Sequence, residues 1–371
     1  ICYNKIMKIA IDIRAAAGEK TGKGWYTFLM VHELLKNDTE NEYILYTRNR
    51  VPGFEQYKNA QVKAVKSKSI LWHLTVAFDV SKENVDIFWA PTSYITPSFI
   101  SKRIRTVITV HDLVAFLFPQ KHNFKATLIE KICLKRAAKR ASKIITVSSN
   151  TASDLQDKFQ TPSKKIEVIP CAGNEAYKKI NHQELTAFAK KTNLPKKFFL
   201  AVGTIEPRKN YKKLIEAFSI ISERNPDYNL IIVGKNGWQF EEVYEEIQQK
   251  YLQKKVHILG YLSGKSLVNL YNLAEAFVFP SVYEGFGIPP LEAMMCGCPV
   301  VASYSSSIPE VVGDSALLID PKSAESIASA MLKIIKDEEL AEKLTNKGLQ
   351  QAKKFSWEKS SKELLNIFKS L

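Results

Sequence analysis

The stretch Ser281–Val300, SVYEGFGIPPLEAMMCGCPV, holds two glutamates, Glu284 and Glu292, with a glycine loop between them. The run before it, Ala276–Pro280, is short, apolar and rich in β-branched and aromatic residues, which predicts a buried strand. Gly285 and Gly287 then allow a tight turn and close approach of backbone to a ligand. Pro289 and Pro290 suit the first turn of a helix, and Gly297 followed by Pro299 ends it. The chain thus reads strand, glycine loop, helix N-terminus, with one carboxylate at each end of the loop. Loop amides and the helix dipole attract an anion. Each carboxylate can accept hydrogen bonds from vicinal hydroxyls. A sugar joined to a nucleoside through a diphosphate has this distribution of groups. The competing reading is a surface loop carrying two solvated glutamates.

The same pattern recurs on either side. Upstream, the apolar run Phe198–Val202 leads into Gly203-Thr-Ile-Glu-Pro-Arg-Lys-Asn210 and a helix with Tyr211, Leu214, Phe218 and Ile221 on one side. Arg208 and Lys209 therefore fall at a strand-to-helix turn, where cations can neutralise a diphosphate. Further strands are expected at Asn229–Val233, Val256–Leu259 and Val300–Ser303. In the N-terminal half, Lys8–Ile13, Tyr43–Tyr46, Asp86–Trp89, Thr106–Val110 and Ile144–Val147 read as strands between helical patterns, and the alternation predicts doubly wound parallel sheets. Thr21–Gly24, TGKG, precedes an apolar-periodic helix through Trp25, Phe28, Leu29, Val31, Leu34 and Leu35. Gly22 and Gly24 are thus candidates for phosphate contact. The strand TVITV runs into His111 and Asp112, at a carboxyl end where open α/β sheets bind ligands.

These segments together resemble family 4 glycosyltransferases, retaining enzymes of the GT-B fold, whose signature is E-x7-E. The resemblance covers nearly the whole chain from Met7 onward. It implies two Rossmann-like doubly wound domains facing across a cleft, with a C-terminal helix crossing back to the first domain. The N-terminal, acceptor-side domain is expected over residues 1–175, with 355–371 packing back on it; the donor domain over 176–354. A polar, lysine-rich linker is expected over Asn174–Lys197. The resemblance assigns Glu284 to the transferred sugar's hydroxyls and Glu292 to the nucleoside ribose. Arg208 and Lys209 go to the departing diphosphate, with Gly203, Gly285, Phe286, Gly287 and Ile288 lining the donor. Gly22 and Gly24 face the diphosphate from the first domain, and His111 orients a hydroxyl on the sugar and acceptor side. Many members carry arginine directly after the glycine where this chain has Thr204; Arg208 is expected to supply that charge. Mannosyl transfer from GDP-mannose is favoured, with UDP-sugars as alternatives, onto a saccharide or lipid-linked saccharide. A sugar-nucleotide 2-epimerase on the same fold is an alternative. No D-x-D motif is present, so no divalent metal is expected.

Composition bounds these readings. A chain of 371 residues with 45% hydrophobic content is long enough for two globular domains, and no apolar run approaches membrane-helix length. No signal peptide is legible, and Met7 reads as a natural start. The five cysteines, Cys2, Cys133, Cys171, Cys296 and Cys298, are scattered, which predicts reduced thiols and a cytoplasmic protein. The net charge of +15 is uneven: residues 1–175 hold 27 Lys+Arg against 16 Asp+Glu, the remainder 26 against 22. A basic half could meet nucleic acid or an anionic membrane without any enzymatic role, but no nucleic-acid motif supports the former. Ala126–Lys143 predicts a basic helix. Its apolar residues Leu128, Ile129, Ile132 and Cys133 read first as a core side and second as a membrane-surface contact at the inner face of the membrane.

Overall fold

The computed structural model describes residues 6–20, 22–118, 124–192, 194–262 and 264–371. The first five residues with Cys2, Thr21 of the TGKG stretch and the side chain of Glu130 lie outside the described residues. The chain divides into two compact units, one running to Cys171 and resuming over Ser356–Leu371, the other Ala172–Phe355.

Among the described residues, the first unit contains β1 (Lys8–Asp12), β2 (Glu42–Thr47), β3 (Ala60–Ala64), β4 (Ile87–Ala90), β5 (Arg105–Val110), β6 (Lys143–Thr146) and β7 (Ile166–Val168). They form one parallel sheet in the order β3-β2-β1-β4-β5-β6-β7, with Ile9 opposite both Tyr43 and Ile87. The second unit contains β8 (Lys197–Val202), β9 (Tyr228–Val233), β10 (Val256–Ile258), β11 (Ala276–Phe279), β12 (Val300–Ser303) and β13 (Ala316–Ile319), in the order β10-β9-β8-β11-β12-β13. Central strands such as IFWA and AFVF are buried along their whole length, as parallel strands covered on both faces must be. In each sheet the order reverses once, between β1 and β4 and between β8 and β11. Crevices at the carboxyl ends of such a pair are where open α/β sheets hold ligands.

The C-terminal helix Trp357–Lys369 belongs to the first unit and lies on the helix Gly22–Asn37. Trp357 meets Tyr26 edge-on at 5.6 Å, Phe368 meets Trp89 at 6.1 Å, and the Ser360 hydroxyl donates to the Pro170 carbonyl at 2.8 Å.

Several sequence expectations shift. The expected linker contains the helix His182–Thr192 and belongs to the second unit. The helix after β1 begins at Gly22, so Gly22 and Gly24 sit in its first turn rather than ahead of it. Its buried side is Tyr26, Met30, Val31, Leu34 and Leu35, whereas Trp25 is exposed. The basic helix spans Phe124–Arg140, and Lys143 opens β6, paired to Glu167 at 2.6 Å. Its core residues are Leu134, Ala137 and Ala138, while Leu128, Ile129 and Ile132 face solvent.

Candidate active site

Lys209 and Glu284 are far apart in sequence, and the β8–β11 pairing brings their loops together. β8 runs into the short 3-10 turn Pro207–Lys209, and β11 runs into the glycine loop. The two loops are stitched by backbone and side chain. Val282 N–H donates to the Arg208 carbonyl at 2.9 Å, Arg208 Nη1 to the Tyr283 carbonyl at 2.8 Å, and Asn210 Nδ2 to the Pro280 carbonyl at 3.0 Å. Asn210 itself takes the left-handed conformation, φ 61°, which Asn tolerates, and this turns the chain into the helix Tyr211–Arg224.

The stitching presses one carboxylate between two cations. Glu284 Oε1 is 2.6 Å from Lys209 Nζ and Oε2 is 2.7 Å from Arg208 Nη1, while Arg208 Nη2 is 2.6 Å from Glu206 Oε1. Glu284 and Lys209 are buried, and the ammonium lies 4.9 Å from the centre of the Phe279 ring. Burial pushes the Lys209 pKa below the usual lysine range, and the Glu284 carboxylate opposes that shift. Glu284 is held below the usual glutamate range: burial would raise it, but Lys209 and Arg208 outweigh that. The backbone of Gly203 runs alongside Lys209, and the Gly203 carbonyl accepts from the Tyr211 hydroxyl at 3.1 Å.

The loop carrying Gly285, Phe286 and Gly287 is fastened by serines after β12. Glu284 N–H donates to Ser306 Oγ at 2.8 Å, and the Ser307 hydroxyl lies 2.9 and 2.7 Å from the carbonyls of Glu284 and Phe286. Phe286 packs its ring edge-on to Phe355 at 5.6 Å. Gly287 has φ +120°, open only to glycine without strain, and precedes the helix Ile288–Met295. The Ile288 amide belongs to the first turn, where the helix itself supplies no acceptor, and Pro289 and Pro290 have no N–H to orphan.

Glu292 sits one turn into that helix. Its Oε2 accepts from the Tyr271 hydroxyl at 3.2 Å, and Tyr177, whose ring meets Tyr271 at 5.9 Å, also hydrogen-bonds to it. Burial pushes the Glu292 carboxyl up to about 8, against the lowering effect of both hydroxyls. Between the usual glutamate range and about 8, the folded state keeps a proton that the unfolded chain has released, so stability falls as pH rises through that window. Glu292→Gln removes this dependence. Comparing urea unfolding of the two proteins from pH 5.5 to 8.5 should show the variant gaining on wild type with a slope of at most about 1.4 kcal/mol per pH unit. Parallel curves would show that this carboxyl ionises normally.

The first unit carries the remaining candidates. His111 follows β5 and is buried, with Nε2 2.8 Å from the Pro91 carbonyl at the end of β4 and its ring 4.6 Å from Tyr26. A carbonyl only accepts, so Nε2 carries the hydrogen. Burial, then the nearby Lys23 cation, push the pKa down to about 4, which leaves Nδ1 an acceptor at neutral pH. Gly22 is exposed and has open space around its α-carbon; at Gly24 a β-carbon would sit 2.6 Å from the Ala15 carbonyl oxygen, so glycine is needed there for packing.

Sequence reasoning missed a second charged cluster, at the β1–β4 reversal. Arg14 donates to Asp12 through Nε at 2.9 Å and Nη2 at 2.8 Å, stacks 3.7 Å over Trp72, and reaches His73 Nε2 at 3.3 Å. His73 Nδ1 is 2.6 Å from Thr96 Oγ1. The signal was present: Asp12-x-Arg14 places two charges directly after an apolar strand. Tyr177 and Tyr271 were missed as well, because nothing in their local sequence points to Glu292. Among the described residues, no group of three His, Cys, Asp or Glu is placed to hold a metal ion, and Cys133, Cys171, Cys296 and Cys298 are free.

Comparison with known proteins agrees with this layout. Residues 182–351 match the family described as glycosyl transferases group 1, and residues 22–174 match glycosyltransferase family 4. The chain is 35% identical over 269 residues to the O-antigen chain mannosyltransferase B of Escherichia coli, covering 72% of this chain and 71% of that protein. It is 32% identical over 262 residues to the serotype-specific mannosyltransferase WbdA of Escherichia coli, which covers 68% of this chain but 32% of that protein. In three dimensions it resembles sucrose-phosphate synthase from Thermosynechococcus elongatus, with a TM-score of 0.80, 19% identity, and 98% of each chain covered. The chain belongs to glycosyltransferase family 4 and is a glycosyltransferase built from the two Rossmann-like domains of the GT-B fold.

Proposed function

We propose that this enzyme transfers a hexosyl unit, mannose in first place, from a nucleoside diphosphate sugar to a saccharide or lipid-linked saccharide, with retention of anomeric configuration. The observation that carries the donor assignment is the buried Lys209–Glu284–Arg208 cluster at the β8–β11 reversal, one loop away from a helix N-terminus. Mannose is favoured because the Escherichia coli relative at 35% identity is named a mannosyltransferase.

In this reading Lys209 and Arg208 neutralise the departing diphosphate, and the Ile288 amide at the start of its helix adds a further donor. Glu284 keeps Lys209 protonated in a buried setting and offers its remaining lone pairs to the hydroxyls of the sugar. Glu292 accepts from the ribose hydroxyls, which favours its ionised form, so donor binding below pH 8 releases a proton there. In the first unit, His111 offers Nδ1 as an acceptor to a hydroxyl hydrogen. Positioning and electrostatics supply the rate enhancement, with no divalent metal required.

A thermal-shift panel of GDP, UDP, GDP-mannose and UDP-sugars, with and without EDTA, tests this directly. The expected result is selective stabilisation by one base and its sugar, unchanged by EDTA; a ligand at one hundred times its Kd adds about 2.7 kcal/mol to the folded state. A flat panel would sink the donor-site assignment.

A further inference from the structure

β11 and β12 lie side by side, with Phe279 beside Ala302, so the chain leaving their carboxyl ends forms two adjacent loops. The segment where β12 ends, Ser303–Ser307, reads SYSSS, and all four of its serines reach across to the glycine loop. Ser303 and Ser305 hold the root of that loop. The Ser303 hydroxyl donates to the Ser281 carbonyl, and the Ser305 hydroxyl donates to the Val282 carbonyl at 2.7 Å. Ser306 and Ser307 hold the part that carries the chemistry. The Glu284 N–H donates to Ser306 Oγ, and the wholly buried Ser307 shares its one hydroxyl hydrogen between the Glu284 and Phe286 carbonyls.

Both polar groups of the Glu284 main chain are therefore taken up by this segment, while its carboxylate lies between Lys209 and Arg208 on the β8 loop. Glu284 ties the two loops together, and its backbone cannot turn without moving the carboxylate. The bond to the Phe286 carbonyl also fixes the planar Phe286–Gly287 peptide, directly ahead of the helix Ile288–Met295. Ser306 has a left-handed φ of 49°, where a side chain is uncommon and glycine sits without strain. Such conformations persist where the surrounding structure dictates them, and they cluster at functional sites. What serine adds there over glycine is Oγ, and that oxygen takes the Glu284 N–H. Ser303, Ser305 and Ser307 serve carbonyls; the strained serine serves the one amide that belongs to Glu284.

We propose that Ser306 and Ser307 are positioning residues of the transfer reaction: they fix the Glu284 main chain so that its carboxylate holds Lys209 in place for the departing diphosphate. Both act through Glu284. The inference rests on the donor-site reading above and adds to it the residues that set its geometry.

Steady-state kinetics of Ser306→Gly, Ser306→Ala and Ser307→Ala, each beside a melting curve, tests the assignment with the donor identified by thermal shift. All three should lose about tenfold or more in kcat with the donor KM within about threefold, because a displaced ammonium is felt mainly in the transition state. Ser306→Gly should nevertheless melt above Ser306→Ala, since glycine takes φ 49° freely. Activity then follows the hydroxyl, and stability follows the backbone. On a Lys209→Ala background, Ser306→Gly should cost less than about threefold, because two changes that act through one group are not additive. A kcat within about twofold of wild type in folded Ser306→Gly overturns the inference and leaves the donor reading standing. So does a loss that recurs in full on the Lys209→Ala background. A wild type that binds no sugar nucleotide sinks the donor reading first, and this inference with it.

Discussion

Lys209→Ala should lower turnover by about a hundredfold or more while leaving the fold in place. The ammonium is the buried cation of the β8–β11 crevice, and a preorganised donor aimed at developing charge is worth about 10²–10³ in turnover. The fold survives because Glu284 keeps its second partner, Arg208, at 2.7 Å. The loss should appear mainly in kcat, since the leaving diphosphate gains its charge in the transition state. Steady-state kinetics with the donor identified by thermal shift, beside a melting curve, separates the two effects. Turnover within threefold of wild type in a folded variant removes Lys209 from the mechanism.

Glu284→Ala should cost both turnover and stability. Removing the carboxylate leaves Lys209 buried beside the part-buried Arg208 without their shared counter-ion, and breaking a buried pair from one side costs about 3–5 kcal/mol. Turnover should fall by about a hundredfold or more, because Lys209 loses the group that keeps it charged and, under the proposed transfer, the sugar loses a hydroxyl acceptor. The pH dependence carries a sign. With Glu284 gone, burial and Arg208 both depress the Lys209 pKa, so the folded state binds fewer protons than the unfolded chain, and stability rises with pH up to the ordinary lysine range. The deficit of the variant in urea unfolding should therefore be largest near pH 6 and shrink toward pH 9. A deficit that does not vary with pH would falsify the counter-ion role.

The sequence made the interior strands legible and left the edges obscure. β1, β4, β5, β8, β9 and β11 are runs of apolar residues because both faces of a parallel sheet are covered. β3, AQVKA, and β7, IEV, lie at the sheet edge with half-covered side chains, so their composition is that of a loop. The helix His182–Thr192 was hidden in a stretch whose lysines and polar residues resembled a linker. The helix Ser69–Lys82 carried no warning that four of its apolar residues face outward, because periodicity cannot say which of two apolar sides meets the core.

By itself the sequence determined the two doubly wound sheets, the glycine loop opening a helix, and the placing of Arg208, Lys209, Glu284 and Glu292 on loops at carboxyl ends of strands. These are local facts, set by residue type and spacing within a few turns of chain. Only the tertiary structure decided that β8 lies against β11, so that Lys209 and Glu284 meet at 2.6 Å, and that Tyr271 and Tyr177 close over Glu292. Pairing order and burial are properties of the whole sheet. The same two features set how each of these carboxyls ionises, and no local pattern encodes them.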